Sequence, residues 1–60
     1  MLVSLTEEDV SRIKTALEDL IAKNEDRAIT EEYDKCYDAA NFFRIEAYYC
    51  KKTLEKIKLL

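Results

Sequence analysis

Apolar residues recur along this chain at spacings of three and four rather than in strict alternation, which is the period of helices and not of strands. The first such run is Val10, Ile13, Leu17 and Leu20, widened by Ala16 and Ile21, with Arg12, Lys14, Glu18, Asp19 and Lys23 outside it. Ahead of it, Leu5-Thr6-Glu7-Glu8-Asp9-Val10 has the form of a helix start. Thr6 can cap the free N–H groups, the acids lie in the positive first turn, and Leu5 can pack on Val10 as a hydrophobic staple. The pattern predicts a first helix over about residues 6–24.

Between Asn24 and Ile29 no apolar residue larger than alanine occurs, and Asn24 belongs to the few types that tolerate the left-handed conformation closing a helix. Ile29-Thr30-Glu31-Glu32 then repeats Leu5-Thr6-Glu7-Glu8 almost residue for residue, so the same start signal recurs. A turn is expected over about 25–29 and a longer second helix over about 30–59. Because nothing from 24 to 30 forbids helix, a first helix continuing through Arg27 is the alternative. In the second helix Tyr33, Cys36, Ala40, Phe43, Ala47, Cys50, Leu54 and Ile57 alternate spacings of three and four, an a/d seam sustained over several turns. Its small members, Cys36, Ala40, Ala47 and Cys50, let helix axes approach closely. A second stripe, Phe42, Ile45 and Tyr49, falls on the opposite side, with Tyr37 and Tyr48 on the flanks.

At 1.5 Å per residue the first helix would be about 28 Å long and the second about 46 Å. Cys50, Leu54, Ile57 and Leu60 would then have no helix opposite them, apart from one turn that Leu2 and Val3 could cover. A chain of 60 residues is also marginally stable alone, and oligomerisation is a common remedy. The expected fold is all-α: one domain over 1–60, an antiparallel helical hairpin that pairs as a homodimeric four-helix bundle. One self-consistent register turns the second helices antiparallel about Phe43 and sets Cys36 of one copy opposite Cys50 of the other, although it brings Arg44 near its own mate. In size and architecture this plan resembles the small plasmid-encoded hairpin dimers of the Rop type, which assemble four-helix bundles. The resemblance implies a fold and an assembly and carries no function.

Composition narrows the chemistry. Glycine and proline are absent, which removes the usual residues of tight hairpin turns and argues against a β fold. The net charge of −3 is unevenly spread: residues 1–38 hold 11 acids and 5 bases, residues 39–60 hold 2 acids and 5 bases. Acids early and bases late are what helix dipoles favour. With no histidine, two cysteines, no CxxC and no glycine loop, a zinc site, a hydrolytic triad and a phosphate cradle each lack members. The carboxylate pairs Glu31 with Asp34 and Asp34 with Asp38 are expected on a solvated face. No enzymatic activity, metal or cofactor is expected. Cys36 and Cys50, some 21 Å apart if they share one helix, cannot bridge within the chain and are expected as small apolar core residues, crosslinking between chains being the sharper alternative. No apolar run is long enough to span a membrane and no signal peptide is recognisable, so a reducing cytoplasm is expected.

Two functional classes follow. In the first, the chain is a protein-protein interaction module, a homodimer that also binds a target protein. Its interface residues are Phe42, Phe43, Ile45, Ala47, Tyr48, Tyr49, Cys50, Leu54 and Ile57, with the acidic half steering the encounter or imitating a nucleic-acid backbone. In the second, Arg44, Lys51, Lys52, Lys56 and Lys58 bind RNA or DNA. Lysines near a helix C-terminus are more often dipole partners, and the acidic total opposes non-specific attraction, which favours the first class. Very small, glycine-free helical proteins of this type are often accessory products of phages or plasmids, an expectation from type alone.

Overall fold

A computed structural model describes residues 4–59 of the chain; the expected cover from Leu2 and Val3 and the position of Leu60 lie outside them. Two helices account for almost all of these residues: α1 (Glu7–Tyr33) and α2 (Tyr37–Lys58), packed against each other as an antiparallel hairpin. The start of α1 follows the expectation closely. The Thr6 hydroxyl accepts a hydrogen bond from the Asp9 backbone N–H at 3.1 Å, and the Asp9 carboxylate accepts from the Thr6 N–H at 3.1 Å. This reciprocal capping box satisfies two of the donors a helix start leaves free, and Glu7, Glu8 and Asp9 complement the positive end of the dipole.

The turn is not where the sequence places it. Residues 25–29 are helical, and the chain reverses at Asp34, Lys35 and Cys36. Asn24 stays in α1, and Thr30, expected to cap a second helix, donates its hydroxyl to the Asp26 carbonyl at 3.1 Å, a bond made inside a helix. The reversal itself is a Schellman closure: the Cys36 N–H reaches the Glu31 carbonyl at 2.7 Å and the Lys35 N–H reaches the Glu32 carbonyl at 2.9 Å. Lys35 occupies the left-handed position, φ 63°, that glycine usually fills.

Moving the turn inverts the lengths. At 27 residues α1 is longer than α2, at 22. Cys50 and Leu54 therefore do have a helix opposite them: with Ile21, and Leu17 beside it, they form the dry cluster of the hairpin. The α2 seam runs as expected from Ala40 through Phe43, Ala47, Cys50 and Leu54 to Ile57, all buried or half-buried. Its first two expected members fall away, because Tyr33 ends α1 at 87% exposed and Cys36 is exposed in the turn. On α1 the covered residues are Val10, Ile13, Lys14, Leu17, Ile21, Asn24, Ala28 and Glu31, so Leu20, expected on the seam, points outward and polar residues take part in the contact.

The closest packing lies toward the turn and middle, where Ala28, Ala40 and Ala47 are at most 3% exposed. Side chains this small let the axes approach and leave little room for water. Around them the contacts are polar. The Arg27 guanidinium lies over the Phe43 ring at 5.3 Å, Arg44 pairs with Glu32, and Lys51 pairs with Glu25 at 3.4 Å. The molecule is a rod of 44 × 19 × 16 Å. Its radius of gyration is 14.1 Å, against about 10 Å for a compact domain of this length.

Candidate interaction surface

Three helix faces matter, and two of them point outward. The face of α1 turned away from α2 carries Glu8, Arg12, Thr15, Asp19, Lys23, Asp26 and Thr30, all exposed and polar, and ends at the exposed Tyr33; Leu20 and Ile29 are exposed elsewhere on α1. Ion pairs within the helix lace this side, Arg12 with Glu8 at 3.8 Å and with Asp9 at 3.6 Å, and Arg27 pairs at 3.8 Å with the half-buried Glu31 toward the α2 contact. This is an ordinary solvated helix surface.

The outward face of α2 is different. Asp38, Phe42, Ile45, Tyr49, Lys52 and Lys56 follow one another at alternating spacings of four and three, and all six are exposed. Phe42 is 56% exposed and Tyr49 61%. At 3.6 residues per turn this second seam lies about 150° around α2 from the seam that meets α1. Apolar residues hold its centre, an acid one end and two bases the other. The apolar side chains of α2 also brace one another: the Phe42 and Phe43 rings meet edge-on at 5.4 Å between centroids, Tyr48 and Tyr49 at 5.6 Å. Such contacts restrict the rotamers of exposed rings and so lower the entropy lost when a partner covers them. Tyr37 and Tyr48 add apolar area on the flank.

The expected interface residues thus separate. Phe42, Ile45, Tyr48 and Tyr49 are on the surface; Ala47, Cys50 and Leu54 are buried against α1, with Phe43 and Ile57 half-buried. The register that sets Cys36 of one copy opposite Cys50 of another is overturned, since α1 already occupies that seam. Asp38, Lys52 and Lys56 extend the outward stripe beyond Phe42, Ile45 and Tyr49 at the same spacing, so two of the lysines considered for nucleic acid belong to it.

The basic residues considered for nucleic acid are dispersed. Arg44 and Lys51 are bound to Glu32 and Glu25, and Lys52 lies between Glu55, at 3.9 Å, and the Tyr48 ring, at 5.4 Å. These three are engaged within the hairpin, while Lys56 and Lys58 are exposed at the end of α2. No group of three or more potential metal ligands occurs among the described residues. An open depression of about 460 Å³ at the turn is lined only by the consecutive residues Lys35 to Ala39, so no second element converges on it. Cys36 in that depression carries its thiol pKa above the ordinary value; partial desolvation is the first cause, and the Glu31 and Asp34 carboxylates add to it. No described helix is long and apolar enough to cross a membrane. No protein-family model, curated protein or solved structure matches the chain.

Proposed function

We propose that the protein is a small non-enzymatic interaction module, regulatory in kind, that works by burying the outward face of α2 against another polypeptide. The observation that carries this reading is the clustering of exposed Phe42, Ile45, Tyr48 and Tyr49 in the middle of one helix, whereas the other helix exposes its large apolar residues Leu20, Ile29 and Tyr33 singly along its length. A protein that needed only solubility would have made the two faces alike. Aromatic side chains held by their neighbours are the usual anchors of protein contacts, and a clustered exposed set marks an interaction site. The largely polar outward face of α1 stays in water and keeps the assembly soluble. The free thiols Cys36 and Cys50 fit a reducing compartment such as the cytoplasm.

Site-specific photo-crosslinking tests the reading directly. A benzophenone side chain at Phe42 is expected to form polypeptide adducts in cells, whereas the same group at Asp19, on the outward face of α1, is expected to form few. Equal yields at the two positions, or none at either, would remove the proposal.

A further inference from the structure

The occupant of this face can be named from its spacing and charge order, together with the surface the rod-shaped chain exposes. We infer that a second copy of the chain covers the outward face of α2, antiparallel, with Asp38 of each copy meeting Lys56 of the other, Phe42 meeting Lys52, and Ile45 meeting Tyr49. The inference rests on the interaction reading above and specifies its partner.

Three observations lead to this arrangement. The first is the spacing. Asp38, Phe42, Ile45, Tyr49, Lys52 and Lys56 alternate four and three, which is the condition for two helices to pack along a seam. In an antiparallel pair each a position faces a d position, and one register matches all six residues at once, with the two-fold axis at the level of Ala47. The second is the charge order. With the acid at the N-terminal end and the bases at the C-terminal end, a parallel copy would oppose Asp38 to Asp38 and Lys56 to Lys56. An antiparallel copy opposes acid to base at both ends and leaves the apolar residues in the middle, and it brings Lys52, which already lies on its own Tyr48 ring, beside the Phe42 ring of the other copy. A two-fold symmetric interface must be self-complementary, and this face is.

The third is area. The chain exposes 5097 Å², whereas a compact monomer of its 7.1 kDa would expose about 4,100 Å². The excess of roughly 1,000 Å² comes from the rod shape of the whole chain, and it leaves area enough for the ~800 Å² per partner that a stable interface removes. The two seams of α2 lie nearly opposite, so the copies stack with the α2 helices innermost and the polar faces of α1 outermost. A four-helix bundle of square cross-section would need the two seams near a right angle. In the stacked assembly each α2 is covered on both sides, as a helix with apolar residues on both sides requires.

Sedimentation equilibrium of the purified full chain is the test. The wild type is expected at twice 7.1 kDa at high micromolar concentration, and Ile45→Lys at the single-chain mass with its helical circular dichroism retained. Charge exchange then tests the register without touching the apolar centre. Asp38→Lys and Lys56→Asp are each expected to weaken self-association roughly three- to tenfold, two exposed pairs being turned from attraction to repulsion. An equimolar mixture of the two variants is expected to recover wild-type affinity, because in the mixed dimer every acid again meets a base. A mixture no tighter than either variant alone would overturn the register, and an Ile45→Lys protein that remains dimeric would overturn the face. A monomeric wild type whose Phe42 photo-adducts contain a foreign polypeptide would overturn the second copy while the interaction reading stands. A monomer without adducts would overturn both.

Discussion

The two ends of this hairpin are held together by different physics. At the end far from the turn, Leu17 and Ile21 meet Cys50 and Leu54 in a dry cluster. At the turn end, Ala28 and Ala40 bring the helices close, and the surrounding contacts are a stacked guanidinium and ion pairs: Arg27 on Phe43, Arg44 with Glu32. Burial of large aliphatic side chains contributes about 1.5–3 kcal/mol each, whereas an exposed ion pair contributes about 0–1 kcal/mol. The far end therefore supplies most of the binding between helices, and the turn end mainly fixes how they are joined and aligned.

The largest effect should come from weakening the dry end. Leu54→Ala removes a side chain that is 8% exposed and sits between Ile21 and Cys50. A loss of about 2–3 kcal/mol is expected, the lower part of the range for such truncations because the site lies near the surface. Urea unfolding followed by circular dichroism measures it. A cost no greater than that of an exposed substitution would mean that the far end does not dominate. Ala28→Leu probes the close approach at the turn end. Ala28 is 1% exposed, so added volume should push the axes apart and cost about 1–3 kcal/mol.

The third change should stabilise. Lys35 holds a left-handed conformation that costs a residue with a Cβ about 1–2 kcal/mol, a cost glycine escapes. Glycine's larger unfolded-state entropy offsets part of the gain, so Lys35→Gly is expected to add about 1 kcal/mol, or roughly 4–8 °C in Tm for a domain of this size. Lys35→Ala should add nothing, because alanine keeps the Cβ. Equal Tm values for the two variants would remove backbone strain as the explanation.

The same contrast decides what was legible in the sequence. The dry end announces itself in part: Leu17, Cys50 and Leu54 lie on the expected seams, but the spacing puts Leu20 on the first of them, whereas Ile21 is the buried residue and Leu20 is exposed. The turn end does not, because its helix contacts are made by alanines, a cation over a ring, and half-buried Asn24 and Glu31, none of which adds to an apolar period. A stretch that lacks large apolar residues resembles a loop only if its helix must bury them. Thr30 misled for a related reason, since its hydroxyl can cap a helix or bond back to the fourth residue before it. The true turn carries no glycine, and a lysine at a left-handed position leaves no mark in the sequence. The hairpin survived this error because the order of two helices depends on the seams and not on where the chain reverses.

The smallest expected effect uses the two cysteines as reporters, one at each end. Cys50 is buried in the dry cluster, and Cys36 is exposed in the turn. Exposure alone would make Cys36 fast to alkylate, but the thiolate is the reacting form, and partial desolvation with the carboxylates of Glu31 and Asp34 disfavours it. The rate at Cys36 should therefore rise with pH to a midpoint above the ordinary thiol value. A thiol pKa raised in the folded chain also means that the folded state resists deprotonation; its contribution to stability is complete at neutral pH and is lost as pH climbs through the thiol range. Glu31→Gln removes one of the charges and should move the alkylation midpoint down without restoring the ordinary value, since desolvation is the larger cause. Cys50 should react only when the helices separate, so its rate should follow global unfolding and rise with Leu54→Ala, while Cys36 changes little. Mass spectrometry of the two sites over time distinguishes them. Parallel acceleration of both thiols in Leu54→Ala would mean that the two ends open together and are not held by separate forces.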